Sequence, residues 1–311
     1  MGKIYAIGES LLDIIFCNGQ VQTAKAGGSM LNSVVSLGRM GLPVSFITEY
    51  GMDETGNLID TFLRNNGVNT GFVHRFKNGN TAIALAFLDE NNDARYSFYK
   101  NYPEKRLQFA FPEINSDDIV LCGSFYSISS EIRDKFAGFI STAKKRDALV
   151  IYDPNFRKSH LGELERLRPY IIENTRTSSM IRGSDEDFRN IFGSENPEQA
   201  WNAIREYCSC LVYTANSEGV HVRTNTFSGK FPVRQIKPVS TIGAGDNFNA
   251  GMIASFYGNN ISRATLESMS EKEWGNAVSM AVEFATHVCL SYENYISDDL
   301  ARELRARLGI R

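Results

Sequence analysis

The sequence predicts an α/β fold: a doubly wound, mostly parallel sheet with helices on both faces, carrying a second, small β-sheet. Three features support that expectation. Short apolar runs alternate with helix-period stretches before residue 67 and again from about residue 118, the pattern of right-handed βαβ units. Between those halves, residues 72–76, 81–88 and 95–99 are β-rich and separated by Asn-Gly and Asn-Asn turns, which suggests hairpins without intervening helices. Polar clusters at 8–9, 153–157 and 184–187 each follow an apolar strand, and ligands of open parallel sheets sit at such carboxyl ends.

The first strand, Ile4 to Ile7, is closed by Gly8. Leu11 to Phe16 follows, interrupted by Asp13. A buried carboxylate needs partners, so Asp13 is either a turn or strand-edge residue or part of a site. Ala26 to Asn32 opens a helix whose apolar positions Leu31, Val34, Val35 and Leu37 lead to Gly41, with Pro43 as a stop. Gly28 and Asn32 are four apart and share the face at its start. They form either a plain glycine-rich helix entry or a bare backbone and an amide suited to grasping hydroxyls. Val44 to Tyr50 reads as a strand, and the helix after it stops at Asn66-Gly67.

From residue 118 the alternation resumes. Strands are expected at 119–123, 148–152, 180–181 and 210–214, helices at 132–143 and 164–174, and a strand pair at 220–223 and 230–233. Asp153-Pro154-Asn155-Phe156-Arg157 is turn chemistry that brings Arg157 to a strand end. Ser184-Asp185-Glu186-Asp187 reads as an acidic helix start favoured by the helix dipole.

Composition narrows the function classes. The chain has 311 residues, 42% hydrophobic and 22% charged, which is enough for a sizeable core in an ordinary globular protein. A net charge of -3 gives no basic footprint for nucleic acid, although local amides can still bind phosphates. The five cysteines are odd in number and scattered, as in a reducing compartment. No apolar leader core or membrane-length run is seen. We therefore expect a cytoplasmic protein without a membrane partner.

The stretch from Ser240 to Gly251 carries the most chemistry. Phe248, Met252 and Phe256 recur at helical spacing, so Gly243, Ala244, Gly245 and Asp246 fall at a helix N-terminus. Amides there lack intrahelical partners and carry partial positive charge, and small residues let a phosphate approach them. Asp246 reads as a cap, or as a general base beside an anion hole.

This stretch resembles the second signature of the ribokinase-like carbohydrate kinases of the phosphofructokinase-B type, Asp-Thr-Thr-Gly-Ala-Gly-Asp-x-Phe-x-Ala-Gly. Thr241, Gly243, Ala244, Gly245, Asp246, Phe248, Ala250 and Gly251 match, while Ser240 stands where an Asp is common. Gly27, Gly28, Asn32, Leu37 and Gly38 match the first signature, and the Gly51 to Gly56 turn is also similar. The resemblance covers nearly the whole chain. It implies a single ribokinase-like domain over residues 1–311, with lid strands inserted at about 13–25 and 70–100 that close over a sugar.

The same resemblance implies an ATP-dependent sugar kinase using Mg²⁺. Asp246 would be the base, and the Gly243, Ala244 and Gly245 amides would hold the transferred phosphoryl group. Asp13, Gly28 and Asn32 would orient the sugar; Phe98, Lys100 and Arg157 would contact it or its phosphate. Ser184 and Asp187 replace the Asn and Glu of the family's Asn-x-x-Glu motif, which organises Mg²⁺ and phosphate. Thr214, Asn216 and Gly219 would lie along the nucleotide, and Asn276 would border the adenine. A monovalent cation and a homodimer formed through the lid edges stay open, and the metal ligands are not assigned.

The turn from Glu9 to Asp13, Phe-Leu-Asp-Glu at 87–90 and Phe-Tyr-Lys at 98–100 look most like fructokinases and 2-keto-3-deoxygluconate kinases. Relatives acting on the acid sugar tend to have Arg at the position of Lys100, where a fork can grip a carboxylate. Fructose is therefore the expected acceptor, with ketodeoxygluconate and ribose as alternatives. A catalytically silent sugar-binding regulator would keep the fold without ADP formation. A nicotinamide enzyme would need Gly-x-Gly-x-x-Gly after the first strand, where the chain has Gly8-Glu9-Ser10 and no further glycine.

Overall fold

The computed structural model describes residues 2–88 and 94–310. β1 (Ile4–Ile7), β2 (Leu11–Cys17) and β3 (Gln20–Gly27) lead into α1 (Ser29–Arg39), β4 (Val44–Gly51) and α2 (Glu54–Asn65). β5 (Val73–Phe76), β6 (Asn80–Leu88) and β7 (Ala94–Asn101) follow. Next come β8 (Ile119–Gly123), α3 (Arg133–Lys145), β9 (Leu149–Asp153), α4 (Leu164–Thr177) and β10 (Met180–Ser184). They are followed by α5 (Asp185–Phe192), α6 (Pro197–Ile204), β11 (Cys210–Thr214), β12 (Val220–Thr224) and β13 (Ser228–Phe231). The last helices are α7 (Ala244–Gly258), α8 (Arg263–Leu266), α9 (Glu271–Cys289) and α10 (Asp298–Leu308).

The large sheet runs β13-β12-β11-β10-β9-β8-β1-β4-β5. Its pairings from β11 through to β5 are parallel, and β12 and β13 add an antiparallel edge. β1 and β4 are buried along their full length, as expected of parallel strands covered on both faces. One face packs residues such as Leu31, Phe256, Trp274 and Phe284 from α1, α7 and α9; the other packs Phe136, Ile171, Phe188 and Trp201 from α3 to α6. The sheet is thus doubly wound, as the alternation predicted.

The small sheet has the order β3-β2-β6-β7, antiparallel except for the β2–β6 pair. Asp13 lies opposite Lys25 on β3 and Ala84 on β6, and Ala84 lies opposite Phe98 on β7. Directly paired residues share a face and alternate residues return to it. One face of this sheet therefore carries Asp13, Lys25, Tyr96, Phe98 and Lys100.

The β-rich region expected as one lid divides between the sheets. β5 pairs in parallel with β4, from Thr48 opposite Val73 to Gly51 opposite Phe76, and forms the edge of the large sheet. β6 and β7 alone join β2 and β3. A four-residue strand carries too little alternation to declare its partner; here the decision is long-range, with Phe76 buried and its carbonyl accepting from Met52 N at 2.8 Å. Asp89 and Glu90 of the Phe-Leu-Asp-Glu segment, and the Asn-Asn turn after it, lie outside the described residues.

Candidate functional site

α7 starts at the end of the loop that precedes it, with Gly243 at the cap position in the left-handed region, φ 79°. A Cβ at Gly243 would come 3.0 Å from the Asn294 carbonyl oxygen. Among the described residues no side chain caps this helix; the Ala244 amide turns back onto the Thr241 carbonyl at 3.3 Å, and the amides at Gly245 and Asp246 keep the anion-binding character of a free N-terminus. Asp246 does not act as the cap. Its Oδ2 accepts from Asn32 Nδ2 at 2.8 Å, and its carbonyl accepts from Ser33 Oγ at 2.8 Å. The contact links the starts of α1 and α7, so the two glycine-rich segments form one site.

Burial pushes the Asp246 carboxyl up to about 6, the Asp153 charge adds to this, and the Asn32 hydrogen bond, Arg157 and Arg182 oppose it. Asn32 Oδ1 is buried and has no hydrogen-bond partner among the described residues. A buried acceptor left open in this way suits a ligand hydroxyl.

Asp13 lies over Gly27: a Cβ there would fall 1.9 Å from Asp13 Oδ2. At Gly28, φ is 129° and a Cβ would come 2.3 Å from the Glu9 carbonyl oxygen. The two glycines thus allow β3 to enter α1 while β1 and β2 close in. Burial raises Asp13 to about 7, with Glu9 adding to the rise and Lys25 opposing it. On the same face of the small sheet, Tyr96 and Phe98 stack with ring centroids 5.8 Å apart and remain 42% and 54% exposed. Apolar faces this open, set beside Asp13, suit the closing of a cleft over a bound molecule. Lys100 contacts Glu9 instead of solvent alone, Nζ to Oε1 at 2.7 Å. Arg157 is exposed and acts through charge on Asp246 and Tyr96.

Beneath these residues lies a buried charged layer that the sequence reading left unassigned. Arg182, on β10, donates from Nη1 to Asp153 Oδ2 at 2.9 Å and from Nη2 to Thr214 Oγ1 at 3.0 Å. Asp153 Oδ2 also accepts from Asn249 Nδ2 of α7 at 2.6 Å. The guanidinium rests against the start of α7, where a Cβ at Gly245 would lie 2.8 Å from Nη1. Arg182 and Asn249 escaped notice because each reads as an interior position of its element; the only signal was a cation inside an apolar strand, which needs a counter-charge.

Ser184 and Asp187 form a capping box on α5. Asp187 Oδ2 accepts from Ser184 N and Oγ at 2.7 and 2.6 Å, and Oδ1 accepts from Phe156 N at 2.6 Å. Burial, followed by the Asp153 charge, raises its pKa. The carboxylate is therefore buried, not solvated as an acidic helix start would suggest, and three of its roughly four acceptor positions are used by the protein. Ser184 lies opposite Thr214 in the sheet. Asn216 and Gly219 occupy the turn beyond Thr214 with φ 45° and 113°. Asn276 stands exposed on α9, on the turn where Gly275 approaches Phe231 of β13, and is not bonded to the residues above.

The chain and its fold have known counterparts. The family model described as pfkB family carbohydrate kinase matches residues 1–298. A probable fructokinase-5 of Arabidopsis thaliana is 27% identical over 266 residues, covering 81% of this chain and 82% of its own. The crystal structure of an aminoimidazole riboside kinase from Salmonella enterica, complexed with aminoimidazole riboside and an ATP analog, superposes with a TM-score of 0.83 at 17% identity, over 99% of this chain and 100% of that one. A fructokinase from Xylella fastidiosa with bound ATP gives a TM-score of 0.81 at 20% identity, over 99% of each chain.

Proposed function

The chain belongs to the pfkB family of carbohydrate kinases, and from that premise we propose that it phosphorylates fructose with ATP as the phosphoryl donor. The observation that carries the catalytic assignment is the Asn32–Asp246 contact at the uncapped start of α7. It sets a carboxylate able to take a proton beside amides able to hold an anion.

Asp246 accepts the proton of the attacking sugar hydroxyl as its oxygen bonds to the γ-phosphorus. The bond from that phosphorus to the β–γ bridging oxygen breaks, and ADP leaves with the electron pair. A carboxylate whose pKa is near 6 is ionised at neutral pH yet basic enough to assist the transfer. Amides of Gly243 and Gly245 stabilise charge on the transferred oxygens without reorganising, and the Ala244 amide joins them on leaving the Thr241 carbonyl, 3.3 Å away. Asn32 fixes the carboxylate and offers its open Oδ1 to a sugar hydroxyl. Asp13 accepts a second hydroxyl, and Gly27 and Gly28 let Asp13 and the Glu9 backbone close in to hold it there. Tyr96 and Phe98 cover the sugar when the small sheet closes, which excludes water as a competing acceptor. Arg157 then meets the transferred group from the open side.

Ser184, Asp187 and the turn from Thr214 to Gly219 are assigned to ATP. The last open acceptor position of Asp187 and the uncapped α7 amides fit a nucleotide whose phosphates carry Mg²⁺, which needs only one or two carboxylates from a protein. Mg²⁺ bound there would neutralise charge on the β- and γ-phosphates. Arg182 is assigned as a positioning residue, since from β10 it ties Asp153 at the end of β9 to Thr214 at the end of β11. The five cysteines are unpaired, which supports a reducing, cytoplasmic setting. Among the described residues β3 and β7 are the edges of the small sheet, which suits pairing of that sheet in a dimer.

ADP release with Mg·ATP against fructose, ribose, ketodeoxygluconate, glucose and adenosine tests the assignment. Fructose is expected to give the highest kcat/KM. A higher value for another acceptor contradicts the choice of fructose; absence of sugar-stimulated ADP contradicts catalysis itself.

A further inference from the structure

Glu9 follows β1 and reaches the small sheet across the cleft. Its Oε1 lies 2.7 Å from Lys100 Nζ and accepts from Tyr102 Oη at 2.7 Å, and its Oε2 accepts from Lys100 at 2.9 Å. The pair sits in the sugar pocket as assigned above. The Glu9 carbonyl is the atom that a Cβ at Gly28 would strike, and the Glu9 charge contributes to the raised pKa of Asp13. Its partners are held from behind. Arg106 lies over the Tyr102 ring with 3.5 Å to the centroid, and Arg106 Nε is 2.5 Å from Oε1 of the buried Glu49.

An ionised carboxylate only accepts hydrogen bonds. Glu9 can therefore receive sugar hydroxyls, and it cancels the charge of Lys100, a cation on the same face of the small sheet as Asp13. An acid sugar whose carboxylate entered beside Lys100 would meet Glu9 at short range, a like-charge contact that disfavours it relative to a neutral sugar. We propose that Glu9, through its ion pair with Lys100, is a specificity-determining residue that selects neutral sugars over sugar acids. The inference rests on the reading of this cleft as the acceptor site of a sugar kinase. It adds to that reading a residue and a charge rule.

The test compares kcat/KM for fructose and for 2-keto-3-deoxygluconate, by ADP release, in wild type, Glu9→Gln and Lys100→Met. Wild type is expected to favour fructose. Glu9→Gln, which keeps the shape and unmasks the lysine charge, should move the ratio about tenfold toward the acid, since charge placement governs discrimination. Lys100→Met, on an exposed strand position where folding is little at risk, should move it the opposite way. Ratios unchanged in both variants overturn the inference while leaving the kinase reading intact, as does a wild-type preference for the acid. A wild type that turns over neither sugar overturns both.

Discussion

Arg182→Met removes a guanidinium from Asp153 while keeping most of the side chain's apolar length. Asp153 is 1% exposed and Arg182 7%, so water screens the pair little. Removing one partner of a buried ion pair destabilises by about 3–5 kcal/mol, because the other charge stays buried. Asp153 retains its bonds from Asn249 Nδ2 at 2.6 Å and Asn155 N at 3.0 Å, which places the expected loss near the lower end, about 3 kcal/mol. Urea unfolding near neutral pH should show it as a lower midpoint with an unchanged slope. A second readout separates this from generic damage. Arg182 opposes the raised pKa of Asp246, so its removal should move the acid limb of kcat/KM to higher pH. Asp153→Asn in the same background removes the stranded charge and should restore about half of the lost stability or more. A loss below about 1 kcal/mol, typical of an exposed pair, or an acid limb that stays in place, would refute the reasoning.

Two further substitutions test the sugar side. Asp13 has a folded-state pKa of about 7 against an ordinary 3.8, so ionisation removes stability as pH rises through that window. Asp13→Asn should therefore raise the Tm above the window and leave it nearly unchanged below, while raising the KM for sugar about tenfold or more through loss of a charged acceptor. Gly27→Ala should lower kcat/KM by about a hundredfold with the circular dichroism unchanged, because the new methyl would occupy the place of Asp13 Oδ2, 1.9 Å away.

Much of the site was legible because it is built from local backbone requirements. Gly243 needs a positive φ, Gly27 and Gly28 admit close approach, and Asp13 interrupts an apolar strand; each leaves a mark within a few residues. The doubly wound sheet was legible for a similar reason, since buried parallel strands read as continuous apolar runs. What could not be read depends on distant partners. Arg182 and Asn249 converge on Asp153 from positions 29 and 96 residues away; the cation inside an apolar strand calls for a counter-charge, but nothing local says which residue supplies it. The pairing of β5 with β4 is a choice between two sheets that a four-residue strand does not encode. Asp187 looked like a solvated helix start, because acidic residues favour that place whether they face water or accept from a neighbouring loop. Glu9 and Lys100, 91 residues apart, meet only once the small sheet folds across the cleft. The helices α6 and α10 are a different matter. Asn196-Pro197 and Ser297-Asp298 are ordinary start signals, and the structure uses Asn196 and Ser297 as caps.

The central claim is that Asp246 takes the proton from the attacking hydroxyl. It is tested most directly by ADP release from Asp246→Asn with the preferred sugar under saturating Mg·ATP. The substituted amide oxygen can still accept from Asn32, so the fold and sugar binding should survive. The account predicts a fall in kcat of about a hundredfold or more with KM little changed. A variant retaining more than about a tenth of wild-type kcat, well above the loss expected for a general base, would contradict it.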